Sequence, residues 1–82
     1  MKVKKTTYKV QGIDQPCIEV SDDFVTVRIA KFYHLIGKDT LILSEYLDGE
    51  WNSEEEVTGD FDSLTEKDAI SIAKKFSVYL SD

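Results

Sequence analysis

The clearest pattern of hydrophobic and polar positions lies in the C-terminal segment Thr65 to Leu80, TEKDAISIAKKFSVYL. Its apolar residues recur three or four positions apart and form one stripe on a helix. These residues are Ala69, Ile72, Ala73, Phe76 and Leu80. Thr65 followed by Asp68 has the form of a capping box, with Asp in place of the usual Glu or Gln. A helix this short is marginal alone in water, so the stripe should pack against the β-rich residues before it, with Phe76 central to the core.

Before this helix, alternating apolar and polar residues with many β-branched side chains predict strands. The predicted strands are Thr6 to Val10, Cys17 to Val20, Phe24 to about Leu35, Thr40 to Leu47, and a last one that begins at Glu50 and fades near Ser53 to Val57. Gln11 to Gln15 is typical of a turn or loop. Asp48 and Gly49 give the strongest hairpin signal, because both central residues of a type I′ turn need positive φ.

The segment Ala30 to Ile36 is ambiguous between strand and helix. Asp23 could cap a helix that ends at Gly37, but the β-branched residues at its start and the short Gly-containing loop after it favour a strand. The predicted fold class is therefore α+β, in a single domain of residues 1–82. We expect an antiparallel meander of about five strands with one C-terminal amphipathic helix packed on one face, and an opposite face that is wet or occupied by a partner.

Composition indicates a small globular protein. The chain is 41% hydrophobic and 32% charged, and it contains no apolar run of the length that a membrane span needs. The start of the chain, MKVKKTTYKV, lacks the apolar core of a signal peptide, so the cytoplasm is the expected location. Cys17 is the only cysteine, so packing rather than a disulfide must stabilise the fold.

Catalytic and metal-binding patterns are nearly absent. Cys17 and His34 are single residues of their kind, and the chain has no CxxC, HExxH, GxSxG or Gly-rich phosphate loop. An EF-hand loop that starts at Asp60 would need Gly and Glu where Thr65 and Ser71 stand. We therefore expect a protein that is not an enzyme and has no metal or cofactor.

Charge is distributed unevenly along a chain whose net charge is −6. Residues 1–38 hold seven bases and four acids, whereas residues 39–82 hold three bases and twelve acids. From Asp39 to Glu66 there are ten acids and no base. Such a surface repels nucleic acid and membranes and attracts a basic protein face. Lysines early in the chain are more typical of a protected sheet edge than of nucleic-acid contact; they are Lys2, Lys4, Lys5 and Lys9.

The acidic stretch is the candidate partner-binding surface. Side chains on one face of an extended strand repeat at about 6.6 Å. By this alternation one face carries Glu50, Asn52, Glu54 and Glu56, and the other carries Trp51, Ser53, Glu55 and Val57. The predicted partner-binding residues are Glu45, Asp48, Glu50, Trp51, Glu54, Glu55, Glu56, Asp60 and Asp62. Two alternatives stay open: the glutamates are only a solvated surface, and the last two aspartates favour the helix N-terminus.

In size, acidity and absence of catalytic residues, the chain resembles the small acidic inhibitors that phages and other mobile elements encode. Some of these act as DNA mimics against restriction, repair or CRISPR enzymes. The resemblance implies a non-enzymatic protein that places its acidic face in the basic channel of a nucleic-acid enzyme. The alternative function is a small structural or adaptor protein that forms a homodimer through its exposed sheet face or an edge strand, with Tyr33, Tyr46 and Trp51 as anchors.

Overall fold

A computed structural model describes residues 1–32 and 39–80 of the chain. Five strands form one antiparallel sheet in which every strand neighbours the next one along the chain. The elements are β1 (Lys2–Val10), β2 (Ile13–Ser21), β3 (Val25–Phe32), β4 (Thr40–Leu47), β5 (Glu50–Thr58), a 3₁₀ turn (Phe61–Ser63) and α1 (Glu66–Phe76). The predicted α+β meander with one C-terminal helix is therefore confirmed.

The first hairpin is longer than the sequence pattern predicts. Val10 pairs with Ile13, so Gln11 and Gly12 form a two-residue turn where a longer loop was expected. Their φ angles are 50° and 80°, the positive values that a type I′ turn needs. Gln is unusual in that position, which explains why the sequence pattern does not restrict the turn to these two residues. The predicted turn between β4 and β5 is present, with positive φ at both of its central residues.

The ambiguous segment after Ile29 begins as a strand. Strand β3 continues through Ala30 and ends at Phe32, and it pairs along its length with β4. Residues 33–38, which include the predicted end of this strand, the predicted anchor Tyr33 and the single histidine His34, lie outside the described residues. The strand interpretation is thus confirmed for the first part of the segment.

One face of the sheet packs under α1 and forms the core. Alternate residues of β2, β3 and β4 point to this face and are buried; they include Ile18, Val20, Val25, Val27, Ile29, Leu41 and Leu43. From the helix, Ala69 and Ala73 are both 0% exposed. The distance between packed elements depends on the size of the side chains at the contact. Two alanines therefore let the helix lie close to the sheet.

The helix begins as predicted but ends earlier. Thr65 and Asp68 form the capping box, in which each side chain accepts a hydrogen bond of 3.1 Å from the other residue's backbone N–H. The helix ends at Phe76, and Leu80 reaches the core from the segment that follows. Phe76 itself is only half-buried and packs at the margin of the core. The prediction that it is central to the core is therefore wrong, since small alanines occupy that position.

Glu45 lies inside the fold rather than on its surface. It is on the core face of β4, is 6% exposed and accepts a hydrogen bond from the hydroxyl of Ser77, the C-cap residue of the helix. The Ser77 hydroxyl in turn accepts a hydrogen bond from the Tyr79 backbone N–H at 3.3 Å. A buried carboxylate needs such a partner. The prediction that Glu45 contacts another protein is therefore wrong, because its side chain is covered by the chain itself.

Candidate functional site

Strand β5 contains a bulge that determines which of its side chains share a face. Glu54 pairs with Ser44, but the next residue of β4, Glu45, pairs with Asn52, so Ser53 has no partner across the strand pair. Ser53 has a φ of 52°. An extra residue on one strand of an antiparallel pair is a β-bulge. Because side chains alternate with a period of two, the extra residue moves every side chain before it to the opposite face.

The bulge brings Trp51 onto the face of the sheet opposite α1, which we call the far face. Trp51 pairs with Tyr46, and their ring centroids are 5.1 Å apart. Glu54 and Glu56 are exposed on the same face, where they pair with Ser44 and Ile42 of β4. The predicted alternation, which placed Trp51 away from these carboxylates, is therefore wrong. We call Tyr46, Trp51, Glu54 and Glu56 the aromatic-acidic patch.

Glu50 lies on the other face of the sheet, the one that carries α1. It pairs with Leu47, which packs against the core, so Glu50 belongs to the face that carries α1. Glu55 lies on that face too, since it pairs with the buried Leu43. The predicted row of carboxylates that joined Glu50 to Glu54 does not exist, because one inserted residue separates the two halves of the strand.

Arg28 stacks between two aromatic rings on the far face. Its guanidinium carbon is 4.0 Å from the centroid of the Tyr8 ring and 4.1 Å from the centroid of the Trp51 ring. Tyr8 is on β1 and Trp51 on β5, which are the two edges of the sheet, whereas Arg28 is on the central strand β3. A cation over an aromatic face is attracted by the ring quadrupole, by about 0.5 to 2 kcal/mol. One side chain thus links the two edges of the sheet across its far face.

The surroundings of Arg28 are polar but do not neutralise it by direct pairing. Its backbone neighbour on β2 is Glu19, yet no carboxylate of the described residues forms an ion pair with the guanidinium. The Arg28 Nε is buried and has no hydrogen-bond partner there. Burial raises the pKa of the Tyr8 phenol. The charge of Arg28 lowers this pKa and the charge of Glu54 raises it, both to smaller extents than burial does. The Tyr8 ring therefore stays neutral at physiological pH and serves Arg28 as an aromatic surface.

Asp60 and Asp62 serve the structure before the helix. The Asp60 carboxylate accepts hydrogen bonds from the Asp62 backbone N–H at 3.2 Å and from the Ser63 hydroxyl, and so caps the 3₁₀ turn. The Asp62 carboxylate pairs with the Lys31 ammonium at 2.9 Å. Both aspartates lie next to the start of the helix, as predicted by the alternative interpretation in which they favour the helix N-terminus. Asp48 is exposed in the β4–β5 turn.

Sequence reasoning missed Arg28 and Tyr8. Arg28 is the only arginine of the chain and alternates with the buried Val27 and Ile29, so its place on the far face could be predicted from the strand pattern. The pattern contains no signal for the two rings. Tyr8 and Trp51 lie on strands that are each two positions away from β3 in the sheet, and their approach depends on the register of all five strands.

Comparison with protein-family models, with curated proteins and with solved structures found no match for this chain. Within residues 1–32 and 39–80, no helix combines the length and the apolar character needed to cross a membrane. The same residues contain no group of three or more His, Cys, Asp or Glu side chains placed to hold a metal ion. The aromatic-acidic patch is the feature from which a function can be argued.

Proposed function

We propose that this chain is a non-enzymatic binding protein that takes a basic segment of another protein on its aromatic-acidic patch. The observation that carries the proposal is the position of Trp51, which is 42% exposed and shares a face with the exposed carboxylates Glu54 and Glu56. Aromatic rings and carboxylates both attract the side chains of arginine and lysine. Trp and Tyr are also enriched among the residues that dominate binding energy at protein interfaces.

The chain's own Arg28 supports this chemistry. Its guanidinium stacks on the Trp51 ring at 4.1 Å, so the patch already accommodates one cation of the kind that a partner would present. Tyr46 contacts the same ring and is 38% exposed. An arginine or lysine of a partner would add to this arrangement from the solvent side, with the two carboxylates of the patch to pair with its charge.

Long-range electrostatics favour a basic partner. The ten acids between Asp39 and Glu66 would speed the encounter with a positively charged protein. Enzymes that act on nucleic acid are one class of such partners, as the resemblance to acidic inhibitors implied. The bulge at Ser53 divides the row of carboxylates, however, so imitation of a continuous DNA backbone is supported by net charge alone. A short basic segment of protein fits the patch better.

A homodimer through the far face is the alternative. It would cover Tyr46 and Trp51, which are both exposed. A twofold contact at the patch would also bring Glu54 and Glu56 of the two copies together, and like charges in contact repel. This repulsion is the reason to prefer a basic partner. A dimer at this face whose stability does not depend on salt would favour the alternative.

Two substitutions of equal charge change test the proposal, since they lie on opposite faces of one strand. We expect Glu54→Lys to weaken binding of an arginine-rich peptide strongly, whereas Glu50→Lys should have a small effect because its side chain is on the α1 face. Trp51→Ala should weaken binding by about 30-fold or more if it acts as an interface hot spot of about 2 kcal/mol. Fluorescence anisotropy with a labelled peptide, at low and high salt, measures these affinities.

The design separates specific binding from general charge attraction. Equal losses for Glu50→Lys and Glu54→Lys, together with unchanged affinity for Trp51→Ala, would mean that the peptide is attracted by net charge and that the patch has no role. Circular dichroism of each variant confirms that the fold survives, as expected for exposed charges whose pairs are typically worth less than about 1 kcal/mol.

A further inference from the structure

The two edges of the sheet carry opposite charges. Strand β1 contains four lysines and no acid, and strand β5 contains four glutamates and no base. These residues are Lys2, Lys4, Lys5 and Lys9 on β1, and Glu50, Glu54, Glu55 and Glu56 on β5. Each strand has nine residues, and each has a sheet neighbour on one side only. We propose that the β5 edge of one copy pairs with the β1 edge of the next, so that the protein associates head to tail.

Both edges have the backbone groups that such pairing needs. The free side of an edge strand presents a row of unpaired N–H and C=O groups, which is a template for another strand. Charged side chains usually prevent this association, because like charges meet when identical edges approach. Here that protection acts against a β1–β1 or a β5–β5 contact. It does not act against a contact between β1 and β5, in which lysines meet glutamates.

Most charges of the two edges have no ion-pair partner among the described residues. Lys9 pairs with Asp14 at 3.0 Å. The other three lysines of β1 and all four glutamates of β5 form no ion pair within the part of the chain that the structure describes. Because β1 and β5 are at opposite ends of the strand order, they do not neutralise each other in one molecule. A second copy offers each edge its complement.

Symmetry determines the kind of assembly. A twofold dimer presents the same strand from both copies, which joins like charges, whereas a β5–β1 contact is heterologous and leaves one free edge at each end. In this meander β1 and β5 run in the same direction, so a continuous sheet with its helices on one side pairs them in parallel. Lysines and glutamates then meet on both faces: Lys2 and Lys4 share the far face with Glu54, and Lys5 shares the α1 face with Glu55.

Charge reversal at each edge tests the proposal by loss and rescue. One variant carries Lys2→Glu, Lys4→Glu and Lys5→Glu, a second carries Glu54→Lys, Glu55→Lys and Glu56→Lys, and a third combines all six changes. Sedimentation velocity at low salt should show association of the wild type beyond the 9.4 kDa monomer, with loss of association in high salt, where charges are screened. Each single-edge variant alone should be monomeric, since its two edges have the same sign.

The decisive experiment is the mixture of the two single-edge variants. An equimolar mixture of the two single-edge variants should associate, because each supplies the edge that the other lacks, and the combined variant should associate by itself. Three results would overturn the proposal. The first is a wild type that is monomeric at all concentrations in low salt, and the second is association of the single-edge variants like that of the wild type. The third is a mixture of folded single-edge variants that stays monomeric. Lys67→Glu, at an exposed position of α1, changes the net charge without touching β1 or β5, so it should leave the association unchanged and separates the edge charges from net charge.

Discussion

Replacement of Ile29 by alanine is expected to lower the free energy of unfolding by about 2 to 5 kcal/mol. Ile29 is 0% exposed and lies on the central strand of the sheet, where it pairs with Ile18 on one side and Leu43 on the other. Truncation there removes buried apolar surface and leaves a cavity that closely packed neighbours fill only in part. The loss is a large part of the roughly 5 to 15 kcal/mol that stabilises a small domain.

Phe76→Ala is the matched comparison. It deletes more atoms than Ile29→Ala, but Phe76 is half-buried at the margin of the core, so its removal should cost less. Urea denaturation followed by circular dichroism gives both free energies under the same conditions. A larger loss for Phe76→Ala would place the centre of the core at the C-terminal end of the helix, as the hydrophobic stripe alone suggested, and would contradict the packing described above.

Ala73→Leu is expected to destabilise the protein by about 1 to 3 kcal/mol, although it adds an apolar side chain to a helix. Ala73 is 0% exposed where α1 packs on the sheet. A leucine there must push the helix away from the strands or adopt a strained rotamer. The helix propensities of the two residues differ too little to account for a loss of this size.

Ser71→Leu is the control for this prediction. It makes a similar increase in side-chain size on the same helix, at a position that is exposed, and its effect should stay within about 0.5 kcal/mol. Thermal and urea denaturation of the two variants measure the difference. If Ala73→Leu were as stable as Ser71→Leu, the helix would not be seated through its small residues.

The fold could be predicted from the sequence because its main signals are local. The helical stripe, the capping box of Thr65 and Asp68, and the Asp48–Gly49 turn each depend on residues a few positions apart, and the structure contains all three features. Element lengths were less well predicted. The turn at Gln11 and Gly12 has Gln where Asn, Asp or Gly is usual, so the sequence pattern predicts a shorter first hairpin than the structure contains.

The candidate site could be predicted only in part, because its geometry depends on one residue. Nothing in the residues around Ser53 indicates a bulge: this serine adopts a positive φ, which is uncommon outside glycine, asparagine and aspartate. Without the bulge, Trp51 and Glu54 appear on opposite faces. Glu45 is a different case: charged residues are rarely buried, so its charge predicts an exposed side chain, whereas alternation with the buried Leu43 places it on the core face.

The proposed function depends on the position of Trp51 relative to Arg28, which nuclear Overhauser contacts report. We expect cross-peaks from the Trp51 indole to the Arg28 side chain and to the Tyr46 ring, because the guanidinium carbon lies 4.1 Å from the indole centroid and the two ring centroids are 5.1 Å apart. Cross-peaks from the indole to Leu47 and Val57, with none to Arg28, would place Trp51 on the α1 face and contradict the bulge, the patch and the function proposed from them.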